Sequence, residues 1–200
     1  MAYPTVNGPY GLLPINLIGG QVFAGATRQI PIGSGEATAI FYGDVVKFNG
    51  DGNVTVEDST TAATPIGVFL GCTYVDPVFG LTFRQYYPGG LTNSTMTAYV
   101  QDDPDVLFKA AVVDTGTTTV SFLTRTDVNR NAALVLNAGN TANGNSQVGI
   151  NDATNTTDTL PVRIVDFIPE TAIAGEPGSY TEVVVKWNFG VHRYYNATGV

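Results

Sequence analysis

The segment from residue 36 to residue 71 constrains the fold more than any other part of the chain. It carries two apolar runs, residues 39–48 and 65–70, on either side of a stretch rich in Gly, Asp, Asn and Thr. Inside that stretch, Asn49-Gly50 and Asp51-Gly52 are successive tight-turn dipeptides, because Asn, Asp and Gly tolerate positive φ at little cost. The segment therefore predicts a strand, a tight hairpin, a short second strand and a return strand.

The same alternation continues along the chain. From residue 27 onward, short apolar runs are separated by turn residues about every 8–12 positions, which is typical of an all-β protein. The clearest strand places Val183, Val185, Trp187 and Phe189 on one face, and Val184 on the other face indicates that this second face is partly covered. The predicted strands are residues 39–48, 54–57, 66–74, 81–87, 95–101, 106–113, 118–123, 162–168 and 181–189.

Two segments depart from the strand pattern. Residues 126–136 are loosely periodic and Asp127 can cap a helix there. Residues 137–158 are dominated by Asn, Thr and Gly and predict a long loop or a set of small turns. We therefore expect an all-β fold, a short-stranded barrel or sandwich of the β-tulip kind, with at most one short helix near residues 127–136.

The first 26 residues have a different character. Pro4, Pro9 and Pro14 exclude them from a sheet interior, because proline fixes φ and lacks a backbone donor. We expect an extended N-terminal arm over residues 1–26, followed by a single β-rich domain over residues 27–200. An arm that docks on another molecule and an arm that packs on its own domain fit the sequence equally well. The candidate docking residues are Tyr3, Tyr10, Leu12, Leu13, Ile15, Leu17 and Ile18.

Charge restricts the partners that the chain can bind. The net charge is −8, and the nine Lys and Arg residues are scattered along the sequence. Nucleic-acid binding needs clustered cations that displace counterions, and an anionic membrane surface makes the same demand. We therefore expect neither a nucleic-acid nor a membrane partner. The N-terminus has no basic region before an apolar run, so we expect neither a signal peptide nor a membrane span.

Reactive side chains are scarce. Cys72 is the only cysteine and lies in an apolar run, so it is expected to be a buried small hydrophobic residue. His192 is the only histidine, and a lone histidine among tyrosines is more often a packed or interface side chain than a catalytic base. A zinc site built on these two residues lacks partners at a supporting spacing. We expect no catalytic residue, no metal and no cofactor.

Three motifs come close to known sites and fail. Residues 139–146 resemble a phosphate-binding loop, but Asn145 stands where the lysine is needed. Residues 49–60 echo a calcium loop, but Val54 replaces its glycine and Thr60 its glutamate. The cluster Asp102-Asp103-Pro104-Asp105 predicts a solvated turn, with a calcium ion as the alternative.

Paired tyrosines point to an interface. Adjacent residues on a strand face opposite sides, so one residue of Tyr194-Tyr195 must leave the local core. Exposed tyrosine is favoured at protein interfaces, because it offers a large contact area at a small entropic cost. We expect Tyr194, Tyr195 and His192 at a subunit interface. A two-layer fold that buries both faces is the alternative.

Three parts of the chain together resemble the head-decoration (cement) proteins of tailed bacteriophages. They are residues 11–15, residues 43–46 with 65–68, and stretches of the C-terminal half between residues 127 and 186. The resemblance implies a structural virion protein on the outer capsid surface that stabilises the shell. It also implies a homotrimer whose arm binds the major capsid protein by adding a strand to it.

Two other functions fit parts of the sequence. A glycan- or receptor-binding module of a virion fibre or head spike is also β-rich, rich in Tyr and Asn, and weakly charged. A small β-barrel enzyme is the third possibility, and the poor supply of acids and bases opposes it. A decoration protein that is not an enzyme is therefore the main expectation.

Overall fold

The computed structural model describes residues 6–92, 95–173 and 178–199, and confirms an all-β fold. Among the described residues, 41% are in strands, isolated bridges included, and 3% are helical. The strands are β1 (Leu13–Leu17), β2 (Arg28–Pro31), β3 (Val45–Phe48), β4 (Val54–Val56), β5 (Gly67–Asp76), β6 (Gly80–Arg84), β7 (Met96–Gln101), β8 (Val106–Val113), β9 (Leu123–Thr124), β10 (Asn131–Ala132), β11 (Leu134–Val135), β12 (Gly149–Asn151), β13 (Val162–Phe167), β14 (Ser179–Tyr180) and β15 (Glu182–Trp187).

A six-stranded antiparallel sheet curls into a nearly closed barrel. Its order is β2-β7-β5-β3-β4, and β6 pairs with β5 beside β3. A bridge between Ile32 and Val54 joins the two ends of this order, so the sheet closes on itself. Closure gives the barrel an apolar interior, with Val46, Ile66, Phe69, Cys72, Tyr87 and Val100 among its buried residues.

The turn dipeptides form the hairpin that they predict. The N–H of Asn49 donates to the carbonyl of Asn53 at 2.9 Å, and the Asn49 side chain accepts the N–H groups of Asp51 and Asn53. Gly52 has a φ of +75°, which glycine adopts without strain. These bonds fix the register of β3 against β4, so Val46 and Phe48 of β3 and Val54 and Val56 of β4 face the barrel interior.

A larger seven-stranded sheet packs against the barrel. Its order is β10-β13-β15-β8-β12-β11, and β1 shares one edge of β8 with β12. Trp187 and Phe108 meet in its core with ring centroids 5.2 Å apart. Val184 on the opposite face is also buried, as its position predicts. Phe189 lies beyond the end of β15 and is 85% exposed, so its predicted place on the core face is wrong.

The segment that was compatible with a helix is largely extended. A short 3-10 turn covers Arg125–Asp127, where the Asp127 carboxylate accepts the N–H of Thr124 at 2.9 Å. The following residues form β10, which pairs with β13, and β11, which pairs with β12. The region 137–158 contains β12 and is therefore not a loop throughout. Pairing with distant strands overrides the weak local periodicity.

Part of the predicted arm belongs to the body. β1 pairs antiparallel with β8, and Leu12 is fully buried in the core of the larger sheet. Gly11 and Gly43 allow this approach, because a Cβ on Gly11 would lie 2.6 Å from the carbonyl oxygen of Gly43. Residues 11–17 therefore pack on the chain's own domain, which is the second of the two alternatives given for the arm. Their assignment to a free docking arm is corrected accordingly.

Candidate functional site

The only histidine is an internal structural side chain. His192 is fully buried, its Nε2–H donates to the Ile66 carbonyl at 2.8 Å, and its Nδ1 accepts the Tyr194 N–H at 3.3 Å. Burial lowers the pKa of the imidazole, so the ring is neutral near pH 7. Both ring nitrogens are occupied within the chain. The prediction that His192 lies at a subunit interface is therefore wrong, and the packed alternative is right.

The thiol and the imidazole do not meet. Cys72 is buried in the barrel interior, where the loss of solvent raises the pKa of the thiol to about 12. His192 instead packs beside Trp187 of the larger sheet, with ring centroids 6.3 Å apart. Within the described ranges, no group of three or more His, Cys, Asp or Glu residues is placed to hold a metal ion.

The acidic cluster at residues 102–105 is a partly exposed turn in which each carboxylate has a different partner. Asp103 accepts the N–H of Asp105 at 2.8 Å, and Asp105 pairs with Lys186 at 2.9 Å. Asp102 accepts the hydroxyl of Tyr194 at 2.5 Å and lies 3.5 Å from Arg28. The sequence predicts this turn, and its carboxylates connect it to β2, to β15 and to the C-terminal residues.

An exposed apolar hairpin projects from the barrel. We use the name apolar hairpin for β5, β6 and the loop between them. Exposed side-chain fractions are 79% for Val78, 76% for Phe79, 76% for Leu81 and 63% for Phe83. The Asp76 carboxylate accepts the N–H groups of Val78 and Phe79 at 2.8 and 3.1 Å, so the loop has a fixed conformation. Loop tips normally carry polar residues, so this surface is unusual.

One face of β6 carries the largest apolar side chains of the hairpin. Leu81 and Phe83 point the same way, because side chains alternate along a strand. Phe83 lies over Gly71, where a Cβ would be 2.8 Å from the ring and where φ is +138°. The Phe83 and Tyr99 rings are 5.8 Å apart. Glycine at position 71 therefore lets an aromatic ring rest on the outside of the barrel.

A second apolar surface is a groove in the larger sheet. It has a volume of about 720 Å³ and lies between β13, β15, the turn after β7 and the C-terminal residues. Phe189 and Tyr195 stack at its rim with ring centroids 6.1 Å apart. Arg163 and Lys186 add positive charge. We call it the apolar groove, and its apolar lining comes from Ile18, Val128, Val165, Trp187, Phe189 and Tyr195.

The two C-terminal tyrosines are about half exposed. Burial and the hydrogen bond to Asp102 raise the pKa of Tyr194 to about 12, so its hydroxyl stays protonated. Tyr195 borders the apolar groove. Both side chains are accessible to a partner, and their assignment to a subunit interface stays a prediction.

The remaining docking candidates are divided between body and surface. Tyr10 donates a hydrogen bond to the buried Glu182 carboxylate, which also pairs with Lys109 at 3.0 Å. Leu13, Ile15 and Leu17 belong to β1, and none of them is fully exposed. Ile18 is exposed and borders the groove, whereas Tyr3 lies outside the described residues.

The sequence analysis missed both apolar surfaces. The sequence pattern predicts only residues 81–87 of this region as a strand, although the apolar residues begin at Val78 and continue through a turn. That continuity was the available signal, because turns between strands are usually polar. The groove had no such signal, because its lining comes from distant parts of the chain that only the fold brings together.

Within the described ranges, no helix has the combination of length and apolar content that a membrane crossing requires. Comparison of the chain with protein-family models, with curated proteins and with solved structures found no match.

Proposed function

We propose that this protein is a structural virion component that binds the outer surface of a phage capsid, contacts the major capsid protein and stabilises the shell. One observation carries the proposal. The protein is a β-rich body that exposes several large apolar side chains, while its cysteine is buried and its histidine is both buried and hydrogen-bonded within the chain. Contiguous exposed apolar side chains on a folded protein are typical of protein interaction sites.

The charge of the body supports an outer position. At a net charge of −8, the protein is repelled by packaged DNA and needs no cationic surface to bind a protein shell. Stabilisation follows from mass action, because a ligand that binds the assembled shell and not its dissociated subunits favours the assembled state. Repetition over a lattice also lets each contact be weak.

The N-terminal region contains the proposed capsid contact. β1 fixes residues 13–17 to the body, and the chain then turns through a hydrogen bond from the Leu17 N–H to the Gln21 carbonyl at 2.8 Å. Beyond that turn, Val22 is largely exposed. The contact is thus expected after β1, together with the residues that precede Pro9, rather than along β1 itself.

Capsid binding is tested with bare phage heads and the purified chain. We expect the chain to sediment with the heads and to raise the temperature at which they disrupt. Val22→Ser is expected to weaken binding, and Phe122→Ser is the matched control because Phe122 is exposed elsewhere on the body. Failure of the unaltered chain to bind heads would contradict the proposed function.

One observation favours the alternative of a glycan- or receptor-binding module. Phe189 and Tyr195 present stacked rings at the rim of a groove that also contains Asn129. Aromatic faces with nearby amides are a common arrangement in ligand sites. Binding of the purified chain to a glycan array, lost in Phe189→Ser, together with no binding to heads, would favour this alternative.

A further inference from the structure

The loop of the apolar hairpin lies at the C-terminal end of β5, and the apolar groove lies towards the N-terminal end of the same strand. The hairpin loop follows the last residue of β5, whereas the groove includes Asp105, just beyond the part of β7 that pairs with the start of β5. A strand of ten residues, such as β5, is about 30 Å long. The hairpin of one copy therefore cannot fill its own groove.

We propose that copies of this chain associate head to tail, with the apolar hairpin of one copy seated in the apolar groove of the next. The hairpin is convex and carries Val78, Phe79 and Leu81 at its tip, whereas the groove is concave and lined mainly by apolar side chains. Exposure of either apolar surface to water is unfavourable, and the convex hairpin has the shape that the concave groove can accommodate. A second copy is thus the occupant that this chain provides by itself.

The area available suits a protein interface. With about 150–250 Å² for a whole aromatic side chain, the exposed parts of Val78, Phe79, Leu81 and Phe83 amount to roughly 500 Å². A standard interface buries about 800 Å² on each partner. The hairpin side chains thus supply more than half of that area before the backbone and the groove rim are included.

Opposite charges on the two surfaces complement the apolar contact and define how the hairpin is oriented in the groove. Asp76 lies at the base of the hairpin loop, and its bonds from two backbone N–H groups hold its pKa below the usual range. In the groove, Arg163 donates through Nε to Asn131 at 2.9 Å and forms no ion pair within the described part of the chain. Lys186 is already paired with Asp105. Arg163 is therefore the cation that faces Asp76 of the neighbouring copy.

Contacts of this type are heterologous, because the two surfaces that meet are different. A repeated heterologous contact closes into a ring when the rotation between copies allows it, and otherwise forms a filament. A closed ring buries every hairpin and every groove. The association does not depend on capsid binding and is tested without capsids.

The test measures the mass of the full-length chain by light scattering and sedimentation over a range of concentrations. We expect a discrete oligomer for the unaltered chain and monomers for the hairpin variant Phe79→Ser/Leu81→Ser and for the groove variant Phe189→Asp. All three altered side chains are at least three-quarters exposed, so we expect both variants to remain folded, and circular dichroism and thermal unfolding will check this. Phe122→Ser is the matched control and should keep the oligomer.

Mixing the two monomeric variants gives the decisive result. One intact hairpin and one intact groove remain in the mixture, so a one-to-one dimer is expected. Arg163→Ala should weaken self-association up to about fivefold, which corresponds to an exposed ion pair. A monomeric unaltered chain, an oligomeric hairpin variant or a mixture that stays monomeric would each overturn the proposal. A hairpin variant that stays oligomeric but no longer binds heads would assign the hairpin to the capsid.

Discussion

The backbone N–H of Phe41 donates a 2.7 Å hydrogen bond to the Asp44 carboxylate, which is only 4% exposed. Burial raises the pKa of Asp44 to about 6, although this bond and one from the Ser146 side chain oppose the rise. The ionised carboxylate is thus held in the folded chain at neutral pH against a desolvation penalty.

This penalty predicts how stability depends on pH. Below pH 4 the carboxyl is protonated in both states, whereas between about pH 4 and 6 the unfolded chain loses the proton and the folded chain keeps it. Stability from this group therefore falls as pH rises through that window, by about 3 kcal/mol. Asp44→Asn should lack this fall. Urea midpoints for both chains at pH 4.5 and 6.5 test it, and an equal change in both would contradict the assignment.

Tyr10 fastens the N-terminal segment to the body. Its hydroxyl donates to Glu182, and both burial and this carboxylate raise the pKa of Tyr10, so it remains a donor at neutral pH. Lys109 also lies 5.3 Å from the centre of the Tyr10 ring. Tyr10→Phe keeps the ring and removes the donor, and we expect a loss of about 1.5–3 kcal/mol in urea unfolding. Tyr10→Leu should lose more, because it also removes the ring. Equal stability of Tyr10→Phe and the unaltered chain would count against this anchor.

Trp187 contributes through its size and not through its indole N–H. The side chain is buried against Phe108, and within the described residues its Nε1 has no hydrogen-bond partner. Trp187→Ala should lower the free energy of unfolding by about 3–5 kcal/mol, the range for large aromatic side chains in a core. Trp187→Phe keeps an aromatic ring and loses no hydrogen bond, so it should cost clearly less. Similar denaturation midpoints for the two variants would contradict the conclusion that the size of the side chain determines its contribution.

Two truncations test which part of the N-terminal region the fold requires. Removing residues 1–26 deletes β1 and Leu12 and exposes the edge of β8 from Val106 to Lys109, so we expect loss of cooperative thermal unfolding. Removing residues 1–7 leaves Tyr10 and β1 in place and should give a folded chain. A cooperatively folded protein after the longer deletion would mean that β1 is dispensable.

Strands with a clear local pattern were predictable, and strands defined by distant partners were not. β5 and β15 were predictable from the alternation of side chains within a single apolar run. β11 is only two residues long, and its extended conformation depends on the pairing of Leu134 with Ile150. For the same reason, the periodicity around Asp127 suggested a helix where the sheet imposes strands. Of the candidate sites, the burial of Cys72 was predictable from its apolar run, whereas the burial of His192 and the groove depend on contacts between distant segments.

The pairing of β1 with β8 has a consequence for how the chain is made. Leu13 lies opposite Lys109, so β1 finds its partner only after almost a hundred further residues have been synthesised. The next strand along, β15, comes later still. Until then Leu12 and its neighbours have no core to enter. Formation of the larger sheet must therefore wait until Trp187, the last residue of β15, has been translated, and it is expected to be the slow step of folding.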